Sequence, residues 1–325
     1  ISVTAGPVEN HGILVRSAAV SAPQGSITMT GRSSSLSGVA IYEQSNISLT
    51  SGAISITGIG TDNTTSHGVD IYDASIISTT SGNVTVTGTL AGGAAQGIAL
   101  SGGATISSTS GNVQLSGSGG TDWGVWAAGA SIVSTSGTIN LDGGTGGTAT
   151  GVGATTHLGA NPSGTASGNI TVRGDRYWGG TTAANYKTTG AVVIESLATQ
   201  FPADTTLLNH SFTGNSSLRI GRATNATALT LSGGSTSIVG EYTVYGSAIT
   251  QNSAVTSSTG SILIDPTTTY VGSGALSATA GTVTISSGST VSPTGAIQAG
   301  SNVTLQGSGA FTATQPISST NGFID

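Results

Sequence analysis

The sequence contains no cysteine and very few charged side chains. Only 6% of its 325 residues are charged, against about 25% in an ordinary soluble domain. Without cysteine the chain can form neither a disulfide framework nor a thiolate metal site. Lysine occurs once, at Lys187, and the net charge is −6. The chain therefore lacks the basic stripe of a nucleic-acid-binding protein, and we expect no nucleic-acid partner.

Long apolar runs and helical periodicity are missing as well. No stretch of about 18 apolar residues appears, so the sequence predicts no membrane span. Apolar residues do not recur at spacings of three and four, so little helix is expected. No signal peptide is visible, and the chain begins and ends within its pattern. These features indicate a mature fragment or a window from a longer protein.

Short runs in which β-branched and polar residues alternate are abundant instead. The stretch from Gly68 to Gly88, GVDIYDASIISTTSGNVTVTG, contains three such runs, separated by Gly, Ser and Thr. A strand places successive side chains on opposite faces, so each run presents one apolar face. No run of this length could bury that face alone, which predicts that copies of the pattern stack on one another.

Two glycine positions of this pattern recur in phase along the chain. The glycine that opens the third run returns at spacings of 26 to 31 residues, at Gly25, Gly52, Gly82, Gly111, Gly137 and Gly168. The glycine of the first run returns in parallel, at Gly12, Gly38, Gly68, Gly97, Gly124 and Gly151. Three short strands in a period of about 28 residues predict one turn of an all-β parallel β-helix. The variable segments after the third run are expected to form loops on one side.

The repeat predicts which residues stack. Two inward columns of apolar residues are expected, namely Ile54, Val84, Val113, Ile139 and Ile170, and Ile56, Val86, Leu115, Leu141 and Val172. Two outward columns should be polar, namely Thr28, Ser55, Thr85, Gln114, Asn140 and Thr171, and Thr30, Thr57, Thr87, Ser116, Asp142 and Arg173. If Val84 and Val113 lay apart, or faced water, the fold assignment would fail.

Three segments are predicted. Residues 1–174 form a β-helix with turns of about 28 residues and lateral loops, and residues 216–325 form one with turns of about 20 residues. Residues 175–215 concentrate charged and aromatic residues and break the pattern. We interpret this segment as an irregular insertion or as a junction between the two repeat classes. Joined together, the parts predict a rod of about a dozen turns.

The repeats resemble those of filamentous-haemagglutinin-type exoproteins. The phrases SGNVTVTG, ATISSTSGNVQLSG and SNVTLQGSG carry this resemblance, together with the run SLRIGRATNATALTLSGGSTSIVGEYTVYGSAITQNSAVTSSTGSILI. The resemblance covers nearly the whole chain. It implies a right-handed parallel β-helix, secretion to the cell surface through a partner outer-membrane pore, and a role as an adhesin or surface fibre. The amino-terminal secretion domain of that family is not recognisable here.

Several aromatic residues are candidates for contact with a ligand or partner. Trp126 in GTDWGVWAAG is predicted to point outward, in a column with Asp70 and Ala99, and Tyr42 and Tyr72 fall in nearby turns. Exposed aromatic rings can stack on sugars or on a protein surface. Trp123 and Trp178 are further candidates. The alternative for each tryptophan is coverage by a loop of its own chain.

Three carboxylates form a weak candidate for a calcium site. Glu43 and Asp73 should lie in neighbouring turns on the outer face, and Asp70 shares a turn with Asp73. Carboxylates this close could bind a cation or support acid–base chemistry. No basic partner is found at the equivalent positions, and solvated charges that discourage aggregation are the alternative. The four histidines show no metal-ligand spacing, and no cofactor is predicted.

Three functional hypotheses follow. The first is a structural or adhesive segment of a secreted bacterial surface fibre that mediates attachment or matrix assembly and associates end to end. The second is a module that binds a glycan, or a protein of a host or cell surface, through its aromatic residues. The third is a polysaccharide lyase or hydrolase, which would need side chains such as Asp70, Asp73 and Arg173 to meet in a groove. No convergent catalytic set is visible, so no enzymatic activity is expected.

Overall fold

The structure is a computed structural model that describes residues 1–8, 10–61, 66–119, 121–150, 154–160, 164–179 and 182–325. Backbone contacts divide the chain into two compact units, Ile1–Ala184 and Asn185–Asp325. Each unit buries its own set of apolar side chains.

The first unit consists of short strands and one turn of 3-10 helix at Gly144–Gly146. In chain order the strands are β1 (Ser2–Val8), β2 (Ile13–Arg16), β3 (Ala19–Ala22), β4 (Ile27–Ser33), β5 (Val39–Tyr42), β6 (Asn46–Ser51), β7 (Ile54–Gly60), β8 (Val69–Ile71), β9 (Ile76–Ser81), β10 (Val84–Leu90), β11 (Ile98–Ser101), β12 (Thr105–Ser108), β13 (Val113–Ser118), β14 (Val125–Ala128), β15 (Ser131–Ser134), β16 (Ile139–Asp142), β17 (Thr148–Thr150), β18 (Thr156–Gly159), β19 (Ile170–Arg173) and β20 (Tyr177–Gly179).

Within this unit each strand from β1 to β17 pairs in parallel with the strand three positions later in the chain. The series β4, β7, β10, β13, β16 and β19 forms one ladder, and β2, β5, β8, β11, β14 and β17 form a second ladder in the same sheet. A second sheet contains β3, β6, β9, β12, β15 and β18. Three strands therefore complete one turn of a right-handed parallel β-helix, and the predicted fold class is confirmed.

The predicted columns are confirmed residue by residue. Val84 lies opposite Ile54 on one side and Val113 on the other. The column continues through Ile139 to Ile170, and the neighbouring column through Leu115, Leu141 and Val172. All ten inward side chains are buried. Each such residue contributes about 1.5–3 kcal/mol through removal of its apolar surface from water.

The glycine that opens the third run stacks on its counterpart in the next turn. A Cβ atom at Gly111 would overlap the backbone carbonyl of Gly82, and one at Gly82 would overlap that of Gly52. The backbone φ angles of Gly82 and Gly111 lie outside the left-handed region, so close approach of the turns accounts for glycine here. The repeat marker in the sequence is thus a packing requirement.

The second unit continues the same construction with shorter turns. Its strands, starting with β21 at the boundary, are β21 (Ala184–Lys187), β22 (Ala191–Glu195), β23 (Thr205–Leu208), β24 (His210–Thr213), β25 (Ser217–Ile220), β26 (Leu229–Ser232), β27 (Thr236–Ile238), β28 (Glu241–Gln251), β29 (Val255–Ser257), β30 (Ile262–Gly272), β31 (Leu276–Ala278), β32 (Val283–Ser286), β33 (Val291–Pro293), β34 (Ile297–Ala299), β35 (Val303–Gln306) and β36 (Ile317–Ser319). Tyr242 pairs with Ile262 and Ile262 pairs with Val283, so the offset there is 20 or 21 residues.

Residues 175–215, which the sequence predicts to be an irregular insertion or a junction between the two repeat classes, consist largely of regular strands. The segment contains β20 to β24, and β22 pairs in register with β25, and β23 with β26. Some of its interior positions are aromatic, because Tyr186 and Phe212 fill places that Val and Ile occupy elsewhere. These rings stack with centroids 4.8 Å apart. The irregular part is the loop 196–204 between β22 and β23.

The number of turns, about nine, is lower than the predicted dozen. The first unit holds six complete three-strand turns, from β2 to β19. The boundary at Ala184 falls inside the segment that was predicted to separate residues 1–174 from residues 216–325.

Candidate functional site

The predicted contact residues Tyr42 and Tyr72 lie at the bend between the first and second strands of successive turns. Tyr42 ends β5, where it lies opposite Arg16 of β2, and Tyr72 directly follows β8. The next position in each turn is Ser17, Glu43 or Asp73. We call these six residues, Arg16, Ser17, Tyr42, Glu43, Tyr72 and Asp73, the bend surface.

The backbone of this bend is left-handed. Glu43 has a φ angle of 54° and Asp73 one of 61°. In the following turn the same position is Gly102, with a φ angle of 59°. Left-handed backbone costs a residue with a Cβ atom about 1–2 kcal/mol, which glycine avoids. Two consecutive bends therefore carry carboxylate side chains at positions where glycine would fit without strain.

The aromatic rings at the bend contact one another edge to face. The ring centroids of His11 and Tyr42 are 5.6 Å apart, as are those of Tyr42 and Tyr72. The Tyr42 hydroxyl donates a hydrogen bond of 2.6 Å to Asp70 Oδ2. Burial and the neighbouring Asp70 carboxylate raise the pKa of Tyr42, so its hydroxyl remains protonated. The orientation of Tyr42 is thus fixed, while Tyr72 is 46% exposed.

Glu43 has a basic partner that sequence analysis missed. Arg16 Nε donates a hydrogen bond of 2.6 Å to Glu43 Oε1, and the Ser17 hydroxyl donates one of 2.7 Å to Oε2. The hydrogen bond from Arg16 is the main reason that the pKa of Glu43 is lowered. The pairing of β2 with β5 could have identified Arg16 as this partner, because Arg16 lies opposite Tyr42 and Tyr42 directly precedes Glu43. The expectation that the carboxylates lack a basic partner is therefore wrong for Glu43.

The three carboxylates of the weak calcium candidate have different surroundings. Glu43 binds Arg16, Asp70 accepts the Tyr42 hydroxyl, and Asp73 accepts no hydrogen bond on its side chain from any described residue. Glu43 and Asp73 do lie in neighbouring turns, because Gln44 N donates to Asp73 O at 2.8 Å. No group of three or more His, Cys, Asp or Glu residues suited to a metal ion is found within the described parts of the chain.

Two adjoining depressions flank Glu43 and Asp73. One has a volume of about 570 Å³ and is lined by small and polar residues, among them Ser17, Gln44 and Asn46. The other has a volume of about 240 Å³ and is lined by Leu14, His11 and the two tyrosines. Glu43 and Asp73 line both depressions and form a ridge between them. The bend surface thus combines an exposed ring, carboxylates and two concave surfaces.

Trp123 is covered by an arginine of its own chain. The Cζ atom of Arg176 lies 4.8 Å from the centroid of the Trp123 ring, and Nη2 donates to the carbonyls of Thr121 and Asp122 at 3.2 and 2.9 Å. Gly147 lies in the turn between those of Trp123 and Arg176. A Cβ atom at Gly147 would collide with Arg176. The missing side chain of Gly147 lets Arg176 reach across a turn. Arg176 therefore lies over the Trp123 ring, and Trp123 is half-buried.

The remaining tryptophans lie away from the bend. Trp126 pairs in register with Ala99 and Ala149, in the predicted column with Asp70, and its side chain is half-buried. Two turns separate Trp126 from Asp70 in that column, so it does not join Tyr42 and Tyr72. The backbone of Trp178 pairs with Ala149, and its side chain is outside the described residues.

The residues named for a possible catalytic role are not brought together. Asp70 lies on β8 beside Tyr42, whereas Arg173 lies on β19 opposite Asp142, in the ladder of third strands three turns further along. The side chain of His67 takes part in a hydrogen bond between turns, since its Nδ1 atom accepts from Gln96 N at 3.2 Å. Burial lowers the pKa of His11, which lines the smaller depression and was not predicted as a site residue.

Comparison with known proteins found no matching family model, no matching curated protein and no matching solved structure. Among the described residues the only helix is the turn at Gly144–Gly146, and no helix is long and apolar enough to cross a membrane.

Proposed function

We propose that the chain is a structural and adhesive segment of a secreted bacterial surface fibre. The observation that carries this proposal is the ladder of parallel strands, in which Ile54, Val84, Val113 and Ile139 remain in register from turn to turn. Such a stack holds a long outer surface rigidly and can be extended by further turns. The resemblance of the repeats to filamentous-haemagglutinin-type exoproteins supports secretion through an outer-membrane partner and a place at the cell surface.

The proposal includes association between copies through unpaired strands. Strand β1 and the turn that contains β36 each pair on one side only among the described strands. Apolar side chains are exposed beside them, including Val3, Phe311 and Phe323. Open strand edges with apolar side chains favour pairing with another chain. A neighbouring copy would cover them.

Two measurements on the 325-residue chain test this proposal. Beads coated with the chain should adhere to bacterial or host cells more than beads coated with the heat-unfolded chain, because the folded ladder presents the contact surface. Sedimentation velocity should show association that increases with concentration. Gln114→Ala, which changes one outward residue of β13, should behave as the unaltered chain. Equal adhesion of folded and unfolded chains, together with a single monomeric species at high concentration, would contradict the proposal.

Glycan binding is a second candidate, favoured by the exposed ring of Tyr72 beside two depressions. A polysaccharide lyase or hydrolase remains the third hypothesis. Incubation with acidic and neutral polysaccharides tests it, and the proposal expects no turnover.

A further inference from the structure

We infer that the bend surface binds an uncharged glycan, with one sugar ring in each of the two depressions beside the Glu43–Asp73 ridge. This inference rests on the proposed adhesive function, because it names the ligand to which the fibre segment would attach. Four features of this surface support it, namely an exposed ring, an unpartnered carboxylate, two depressions and a negative charge.

The smaller depression offers a platform for a sugar ring. Tyr72 is 46% exposed, and its position is supported by the edge of Tyr42, whose hydroxyl is held by Asp70. Leu14, which is 49% exposed, lines the same depression. The electron-rich face of a tyrosine ring attracts the C–H groups of a pyranose, and little side-chain entropy is lost because the ring is already positioned. A volume of about 240 Å³ is below the range of drug-sized pockets, about 300–1,000 Å³, and suits a single ring.

The ridge supplies hydrogen-bond acceptors at the junction of the two depressions. Asp73 lines both depressions, and no described residue donates a hydrogen bond to its carboxylate. A carboxylate can accept two hydroxyl groups at once. The left-handed backbone at Asp73 carries a strain that Gly102 avoids in the next turn, and such strain is often retained at functional positions. Ligand binding gives a reason for an aspartate in this place.

The larger depression suits a second ring that is held by hydrogen bonds. Ser17, Gln44 and Asn46 line it, and Gln44 and Asn46 are exposed. The side-chain amides of Gln44 and Asn46 and the hydroxyl of Ser17 can each donate and accept hydrogen bonds, as sugar hydroxyls do. One aromatic and one polar depression on either side of shared carboxylates therefore fit a disaccharide unit within a longer glycan.

The charge of the surface selects against acidic glycans. Two carboxylates, Glu43 and Asp73, line the depressions with one guanidinium, that of Arg16, which is already bound to Glu43, and Asp70 adds a third carboxylate behind Tyr42. Burial lowers the pKa of His11, so this imidazole adds no positive charge near neutral pH. Sulfated sugars and uronic acids would be repelled by the remaining negative charge.

A binding experiment tests the inference with neutral and acidic probes. The 325-residue chain is titrated calorimetrically with N-acetylchitotetraose and cellotetraose, and with a heparin tetrasaccharide and a tetragalacturonate. We expect binding of at least one neutral probe and of neither acidic probe. Tyr72→Ala and Asp73→Asn should each weaken the neutral complex at least tenfold. Tyr245→Ala, a tyrosine of the second unit, serves as the matched control and should bind as the unaltered chain.

A further variant separates loss of the site from loss of the fold. Asp73→Gly removes the carboxylate and relieves the left-handed strain, so binding should be lost while the thermal midpoint stays the same or rises. No binding of either neutral probe, unchanged binding by Tyr72→Ala, or preference for the acidic probes would overturn the inference. Bead adhesion that persists in the absence of neutral-probe binding would overturn this inference alone and leave the proposed fibre function standing.

Discussion

At the scale of single residues, His210 shows how the second unit fills its interior with groups other than aliphatic side chains. The imidazole is buried and stacks against Tyr186 with centroids 5.6 Å apart. Its Nδ1 atom lies 3.1 Å from the carbonyl oxygen of Leu208, which accepts a hydrogen bond from it. Burial penalises the charged imidazolium and lowers the pKa of His210 to about 4.

This burial predicts a loss of stability in mild acid. The unfolded chain binds a proton at His210 below its ordinary pKa of about 6.5, whereas the folded chain does so only near 4. The unfolded state therefore holds more protons between these values, and the free energy of unfolding decreases as the pH falls through this window. The full difference is about 3 kcal/mol for one group. Denaturant unfolding at pH 7, 5.5 and 4.5 measures it.

A variant isolates the contribution of His210 from those of other histidines. Burial also lowers the pKa values of His11 and His157, so part of the acid effect belongs to them. Tyr242 lines the same internal cavity, and its pKa is raised by burial, so its charge does not change in this window. His210→Phe should remove most of the loss while it retains the stacked ring. An unchanged pH dependence in this variant would contradict the prediction.

At the scale of strands and bends, the glycine column sets how closely turns approach. Gly111 stacks on Gly82 without room for a side chain, whereas a Cβ atom at Gly6 in β1 would meet nothing within 4 Å. We predict that Gly111→Ala lowers the free energy of unfolding by about 3 kcal/mol or more, because the backbones of two turns must separate. Gly6→Ala should change it by less than about 0.5 kcal/mol.

Chemical denaturation of both variants checks this prediction. Circular dichroism should confirm that each variant retains its strands before the midpoints are compared. Similar midpoints for Gly111→Ala and Gly6→Ala would show that the turns can part at little cost, which would refute the packing explanation of the repeat marker.

At the scale of the whole molecule, each unit is a stack whose turns contact only their neighbours. Stability is then a sum of contributions from adjacent turns, and turns with a neighbour on one side are the least stable. We predict that amides of β10 and β13 exchange with solvent only on global unfolding of their unit. Amides of residues 307–325, whose side chains are mostly exposed, should exchange orders of magnitude faster. Hydrogen–deuterium exchange at low protein concentration measures this gradient.

Hydrogen–deuterium exchange measured again at high protein concentration tests whether copies of the chain associate through their end turns. If copies pair through open strand edges, protection of residues 307–325 should rise with concentration. Strong protection of this segment in dilute solution would show that it is stabilised within a single chain.

The sequence by itself determined the β-helix class, the inward and outward columns and the positions of the repeat glycines. These depend on alternation along a strand and on a repeat length, and both are local properties of the chain. The same local reasoning did not predict the strands that contain Tyr186, His210 and Phe212, because these interior positions lack the Val and Ile pattern that marks a strand.

Only the tertiary structure decided which side chains meet across turns. Arg16 binds Glu43, Tyr42 binds Asp70, and Arg176 reaches over Gly147 to cover Trp123. Such contacts depend on the register between turns and on side-chain direction, and loops of varying length shift that register by several residues. Side chains far apart in the sequence therefore become neighbours only once the turns are stacked. The same stacking places the ring of Tyr42 against the exposed ring of Tyr72.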